Sequence, residues 1–221
     1  MSDSKIIEDF YKNDQGIKFY KNINNSIKEL WPDITNENII IIGYGSPYID
    51  SFNKNNNVIT INCFDSFSFP VEYADRVILV HAIEYNEQPS LLLREIWRII
   101  KTNGKLLVIA PNKHGQFYNS KDPIFNHANF FTVNKLISML DDSLFEPLRI
   151  RATLFSSYNF NESFPNVAKF FDNICDKWLV LFGGILLVEG EKKLVIATNK
   201  HRLKKKLSFK KKLQRMNNIK G

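Results

Sequence analysis

Cysteine is scarce in this chain: there are two, Cys63 and Cys175, and no CxxC pair. That excludes a disulfide-built scaffold and a four-cysteine zinc module. Long apolar runs are also missing. The longest, Trp178–Val188, has 11 residues and includes two glycines, whereas a spanning helix needs about 20. The opening stretch is polar and acidic, which does not fit a secretory leader. Glycine is sparse, nine in 221 residues, and GxGxxG, GxSxG and a GxxxxGK followed by Ser or Thr do not occur. A dinucleotide fingerprint, a nucleophile elbow and a P-loop are thereby excluded. Neither His114 nor His127 stands at ligand spacing from another histidine or a carboxylate, so no metal is expected.

What is present suits a globular fold. An apolar share of 44% can bury a sizeable core, and the length fits one domain plus an appendage. A soluble, cytoplasmic protein in a reducing compartment is the expectation. The net charge of +7 is unevenly placed. Residues 200–221 hold ten Lys or Arg and no acid, so the remaining chain is mildly acidic. Lys200–Lys220 reads either as a helix with one apolar side, able to touch RNA or an anionic membrane, or as a solvated end.

The order of elements is legible from periodicity. Ser4–Leu30 spaces its apolar residues as one or two amphipathic helices with a break near Asn13–Gly16, ended by Trp31-Pro32. Four consecutive isoleucines, Ile39–Ile42, precede Gly43-Tyr44-Gly45 and read as a strand buried on both faces. Val58–Ile61 and Asp75–Val80 are further strands. A helix is expected over Pro89–Thr102, stopping at Asn103-Gly104, and Lys105–Ala110 is the next strand. The middle therefore reads β-α-β-β-α-β, which implies an α/β fold with a mostly parallel sheet. Thr132–Asp141 is a helix with Thr132 as N-cap. Leu148–Phe155 is a strand, Asn161–Leu181 contains a helix, and Gly184–Thr198 contains strand segments interrupted at Glu189-Gly190-Glu191. The last two strands suit an antiparallel edge hairpin. Three regions follow: N-terminal helices over 1–36 that cap the domain, an α/β domain over 37–199, and the basic tail over 200–221.

Carboxyl ends of parallel strands are where open α/β sheets bind ligands. Gly43, Tyr44, Gly45 and Ser46 form the first such end, readable as a ligand loop or as a plain tight turn. His81, Ala82 and Glu84 form the next. His81 has the chemistry of a general base and Glu84 that of a proton acceptor or orienting group; both are also readable as loop hydrogen-bonding groups. Asn112 ends the following strand, as a substrate-side group or as a strand terminator. His114 and His127 lie in the loop Gly115–Phe131 and just before it, where substrate closure and ordinary loop polarity are both open. Cys63 follows a strand and reads as either a pocket residue or small-residue packing.

Together these segments resemble the class I S-adenosylmethionine-dependent methyltransferases, more narrowly the type 11 methyltransferase-domain proteins of alphaproteobacteria. The resemblance rests on Ile39–Gly45 with Ser46-Pro47-Tyr48, on Asp75–Glu84 as a D-x-V…L-E stretch, and on Arg98–Leu106 as an R-x-L-K-P-G-G-x-L stretch. Phe10-Tyr11, Gly16 and Trp31-Pro32-Asp33 add to it, and it spans roughly residues 10–198. It implies a Rossmann-like sheet of seven strands, mostly parallel with a late antiparallel strand, and S-adenosyl-L-methionine bound at the glycine loop. Implied cofactor contacts are Gly43, Tyr44, Gly45, Ser46, Asn62, Cys63, Phe64, Asp65, His81 and Ala82. His81 and Glu84 take the catalytic role, and Asn112 and His127 the substrate side. The resemblance implies methyl transfer to an unidentified acceptor.

The chain departs from that family in one region. Only 32 residues separate Gly43 from Asp75, so the sheet is expected to be trimmed between its first and fourth strands. The family's acid near the adenine falls on Cys63, and its ribose-holding acid at the end of the second strand has no clear counterpart. Asp65 or Asn62 is the expected substitute. The alternative reading is a catalytically weak or inactive module of the same fold that binds RNA, an anionic surface or a protein through its tail.

Overall fold

The computed structural model describes residues 3–52, 55–61, 68–154 and 183–193. Two N-terminal helices come first, α1 (Asp3–Lys12) and α2 (Asp14–Leu30). Asn13 separates them because its extended backbone cannot continue α1, and its side chain caps α2 by accepting from Gly16 N at 2.8 Å. Gly16 has to be glycine: a Cβ there lies 2.0 Å from the Phe10 carbonyl oxygen. That contact sets how closely the two helices cross.

The strands are β1 (Asn38–Gly43), β2 (Asn57–Ile61), β3 (Ala74–Val80), β4 (Ile100–Pro111), β5 (Phe145–Thr153) and β6 (Ile185–Lys192). Among the described residues three α-helices lie between them: α3 (Ile49–Phe52), α4 (Pro89–Ile99) and α5 (Val133–Asp142). The sheet order is β2-β1-β3-β4-β6-β5. β1 pairs in parallel with β2 and β3, β3 pairs in parallel with β4, and β6 runs antiparallel to both β4 and β5. This is the mostly parallel sheet with one late reversed strand that the sequence implies. It has six strands among the described residues rather than seven. β2 is an outer strand, which agrees with the short span between Gly43 and Asp75.

The isoleucine run explains the three layers. Alternate side chains of a strand point to opposite faces. Ile39 and Ile41 enter one core with Phe10, Phe19 and Ile23 of the N-terminal helices. Ile40 and Ile42 enter the other with Leu93 and Ile96 of α4 and Leu136 and Leu140 of α5. All four are fully buried, and each contributes roughly 1.5–3 kcal/mol of transfer free energy.

Several expected boundaries shift. The helix expected over 89–102 ends at Ile99, because Ile100 turns extended (ψ 140°) and pairs with Ala74 at the start of β4. The strand expected over Leu148–Phe155 is β5, beginning at Phe145, with Phe155 outside the described residues. β5 and β6 pair antiparallel at one edge of the described sheet, as expected of the last two strands, but β6 runs unbroken through Glu189-Gly190-Glu191. The reason is that Glu189 is paired inside the protein. Its fully buried carboxylate accepts from Trp31 Nε1 at 2.8 Å and from the Arg149 guanidinium. Thr132 caps α5 as expected, accepting from Lys135 N at 3.2 Å. The helix expected within Asn161–Leu181 and the tail Lys200–Lys220 lie outside the described residues.

Candidate functional site

A cavity of about 650 Å³ opens at the carboxyl ends of β1 and β2. Its floor is the loop Gly43-Tyr44-Gly45-Ser46, and Thr60 and Ile61 of β2 form one wall. α1 forms the opposite wall, presenting Ser4, Lys5, Glu8, Asp9 and Lys12. The amphipathic pattern of α1 accounts for this placement: Ile7 and Phe10 are buried in the core, which turns the polar side outward over the loop.

The loop is held by the sheet. Gly43 has φ +103°, and a Cβ on it lies 2.0 Å from the Val80 carbonyl oxygen. The glycine is therefore required by the close approach of β3. Tyr44 N donates to that same carbonyl at 2.9 Å, and Gly45 N donates to Gly43 O at 3.1 Å.

Behind the loop, β3 is followed by His81, which takes the left-handed conformation (φ +50°). That is unusual for a side-chain-bearing residue and costs on the order of 1–3 kcal/mol. The turn keeps the imidazole buried, stacked on Phe19 with ring centroids 5.8 Å apart. His81 Nδ1 lies 3.1 Å from Glu84 Oε1, and Nε2 lies 3.0 Å from the Tyr11 hydroxyl. The Tyr11 hydroxyl is also 3.1 Å from the Tyr48 hydroxyl. Glu84 is 3% exposed, and its Oε2 has no hydrogen-bond partner among the described residues. A carboxylate can only accept, so Nδ1–H donates to Glu84. In the neutral ring Nε2 is then bare and accepts from Tyr11. Burial, reinforced by Tyr48, raises the Tyr11 phenol well above its ordinary range; burial also raises Tyr48, opposed by the hydrogen bond between the two hydroxyls. Both phenols therefore keep their protons at neutral pH.

The expected site residues fall into five groups. Gly43, Tyr44, Gly45 and Ser46 line the cavity. His81, Ala82 and Glu84 lie behind it, buried; the Ala82 Cβ packs 3.1 Å from where a Gly43 Cβ would stand. Asn62, Cys63, Phe64 and Asp65 lie outside the described residues. Asn112 is buried as a clamp on the loop after β4. Its Nδ2 donates to Gly183 O at 2.8 Å and its Oδ1 accepts from His114 N at 3.1 Å. His114 and His127 are exposed.

Sequence reasoning missed Tyr11 and Tyr48 as members of the polar chain. Tyr11 stood in the Phe10-Tyr11 pair, and Tyr48 followed the glycine loop. Nothing local separates a core tyrosine from one whose hydroxyl meets a histidine far away in sequence. It also missed Glu8 and Asp9 as cavity walls. The last described residues of β2, Thr60 and Ile61, carry no carboxylate, and among the described residues the acids that line this cavity come from α1.

Residues 44–108 match the model of the type 11 family described as Methyltransferase domain. No curated protein matches the chain. Among solved structures, an S-adenosylmethionine-dependent methyltransferase from Thermotoga maritima is similar at 17% identity, covering 79% of this chain and 89% of that one, with TM-score 0.58. One from Aquifex aeolicus has 12% identity, covers 87% of this chain and 100% of its own, and also scores 0.58. The 4+2 cyclase SpnF is similar at 14% identity over 78% of this chain and 80% of its own, with TM-score 0.52. These likenesses concern the fold. Together with the domain match they imply S-adenosylmethionine as the cofactor. The cavity fits that group by its donor set: carboxylates, hydroxyls and an aromatic ring for a cation carrying an amino acid and a ribose. The chain therefore has the Rossmann-like, mostly parallel fold of the class I S-adenosylmethionine-dependent methyltransferases.

Proposed function

We propose that this protein is an S-adenosylmethionine-dependent methyltransferase whose acceptor must lose a proton as it is methylated. One observation carries the reading: the chain of buried Glu84, buried His81 and half-buried Tyr11 lies behind the cavity floored by Gly43–Ser46. Gly43–Ser46, Thr60 and the α1 side chains would hold the cofactor. When bound, S-adenosylmethionine supplies an electrophilic methyl group on a sulfonium sulfur that departs as a neutral thioether.

The chain's own residues deal with the proton. The acceptor's proton passes to the Tyr11 oxygen as the Tyr11 proton passes to His81 Nε2. The resulting imidazolium is held by Glu84 through Nδ1–H. His81 and Glu84 are thus the proton-accepting pair, and Tyr11 is their contact with the acceptor. The α1–α2 cap (residues 1–36) supplies Tyr11 to the α/β domain (37–199), and His127, exposed beyond this chain, stands on the acceptor side. Asn112 acts through the loop it clamps rather than by touching substrate.

The test is titration of the full chain with S-adenosylhomocysteine by calorimetry and thermal unfolding. Ligand at 100 times its Kd stabilises by about 2.7 kcal/mol, which raises Tm by roughly 5–10 °C for a chain of this size. No heat and no Tm shift at millimolar ligand, with folded protein, refutes the reading.

A further inference from the structure

We propose that the ring of Tyr44 recognises the positive sulfonium of the cofactor, so that the site discriminates the methyl donor from its neutral thioether product. This rests on the methyltransferase reading and assigns a role within it.

Three observations carry the proposal. First, among the described lining residues Tyr44 alone is aromatic. Its place is fixed, because its amide is bonded to Val80 O at 2.9 Å and Gly43 cannot be shifted off that carbonyl. Second, Tyr44 stands where the cavity meets the polar chain. Its ring centroid is 5.0 Å from that of Tyr11, whose hydroxyl is 3.0 Å from His81 Nε2. The methyl lies between its sulfur and the acceptor atom, and that atom contacts the group that takes its proton. The sulfonium that carries the methyl is therefore brought to Tyr44 rather than to the far wall at Ser4 and Lys5. Third, the phenol is kept neutral. Burial raises its pKa, with Glu8 and Asp9 adding to the rise and Lys12 opposing it. A neutral ring presents the negative face of its quadrupole to a cation.

The α1 carboxylates are the competing explanation. They also attract a cation, but Lys5 and Lys12 on the same wall oppose them, and salt screens charges that lie partly in solvent. A ring face in direct contact is little affected by salt. The proposal thus separates ring recognition from charge recognition. It also gives the site a direction: once the methyl has left, the sulfur is neutral and the ring no longer favours it, so product release is eased.

The experiment is calorimetric titration of the full chain with S-adenosylmethionine and, separately, S-adenosylhomocysteine, for the wild type, Tyr44→Phe, Tyr44→Leu and Tyr44→Trp. A cation–ring contact corresponds to about 3- to 30-fold in affinity. Tyr44→Leu is expected to weaken S-adenosylmethionine by that factor more than S-adenosylhomocysteine. Tyr44→Phe keeps the wild-type ratio, Tyr44→Trp widens it, and raising the salt leaves the ratio in place. Equal weakening of both ligands by Tyr44→Leu overturns the proposal, as does a ratio that collapses with salt. If Tyr44→Leu does not fold, the Phe and Trp variants decide: a ratio in Tyr44→Trp no wider than in Tyr44→Phe overturns it. A wild type that binds neither ligand refutes the methyltransferase reading instead, so the two failures are distinguishable.

Discussion

Glu189 offers a demanding test of how the N-terminal helices are fastened to the sheet. Its carboxylate is fully buried, accepts from Trp31 Nε1 at 2.8 Å, and pairs with the Arg149 guanidinium, one bond being 3.0 Å. Lys105 Nζ lies 3.7 Å away. Trp31 closes α2, so this contact ties the helix that follows α1 to the reversed strand. In Glu189→Gln the amide oxygen still accepts from Trp31, and the charge-assisted bonds to Arg149 are lost. Such bonds contribute about 1.5–3 kcal/mol. The Arg149 side chain is 44% exposed and can turn to water, which keeps the cost near 2 kcal/mol, or roughly 4–8 °C in Tm. Glu189→Ala also leaves the Trp31 N–H unpaired, adding about 1–3 kcal/mol. The pH dependence has a definite sign. Burial works against the charged form, but Arg149 and Trp31 outweigh it, so the folded carboxyl titrates below its ordinary 4.5. The stability it contributes is complete above that ordinary value and is lost as pH falls through the lower folded value. Urea unfolding of wild type and both variants, from pH 7 down to pH 3, measures this. The gap between wild type and Glu189→Gln should close on acidification. A gap below about 0.5 kcal/mol at pH 7, or one that widens in acid, refutes the reasoning.

Other outcomes follow from the same geometry. Gly43→Ala should cost well over about 1 kcal/mol of folding stability before any ligand is added, since its Cβ meets the Val80 carbonyl at 2.0 Å and its φ is +103°; a variant as stable as wild type in urea contradicts this. Gly16→Ala should loosen α1 from α2, because its Cβ meets the Phe10 carbonyl at 2.0 Å, and hydrogen exchange of α1 amides should speed up while those of β3 stay slow. Tyr11→Phe should destabilise by about 1–3 kcal/mol and move the His81 Nε2 resonance in ¹⁵N NMR; an unmoved Nε2 breaks the proposed chain. Thr132→Ala should lower stability by about 1 kcal/mol through the lost α5 cap, with Thr132→Ser close to wild type in thermal unfolding.

Periodicity and turn chemistry, which are local, made much of this protein readable from its sequence alone. Ile39–Ile42 announced a strand buried on both faces because its side chains alternate between two apolar layers. Asn13 and Gly16 announced the helix break because capping acts within a few residues. Gly43 announced a tight turn, although the backbone that demands it, Val80, belongs to another strand. What lay beyond reach was set by partners distant in sequence. Tyr11 meets His81 across 70 positions and Trp31 meets Glu189 across 158. Glu189-Gly190-Glu191 read as an interruption because a glutamate's ordinary place is water, and only the folded sheet brings Trp31 and Arg149 to pair it. The helix over Pro89–Thr102 overran its true end for the same reason: Ile100 fits a helix locally, but pairing with Ala74 draws it into the sheet. The sequence by itself determined the strands, the helices and the glycine turn, whose causes are local. Only the tertiary structure decided which tyrosine reaches the histidine and which wall brings carboxylates to the cavity, because burial and pairing across the fold set those contacts.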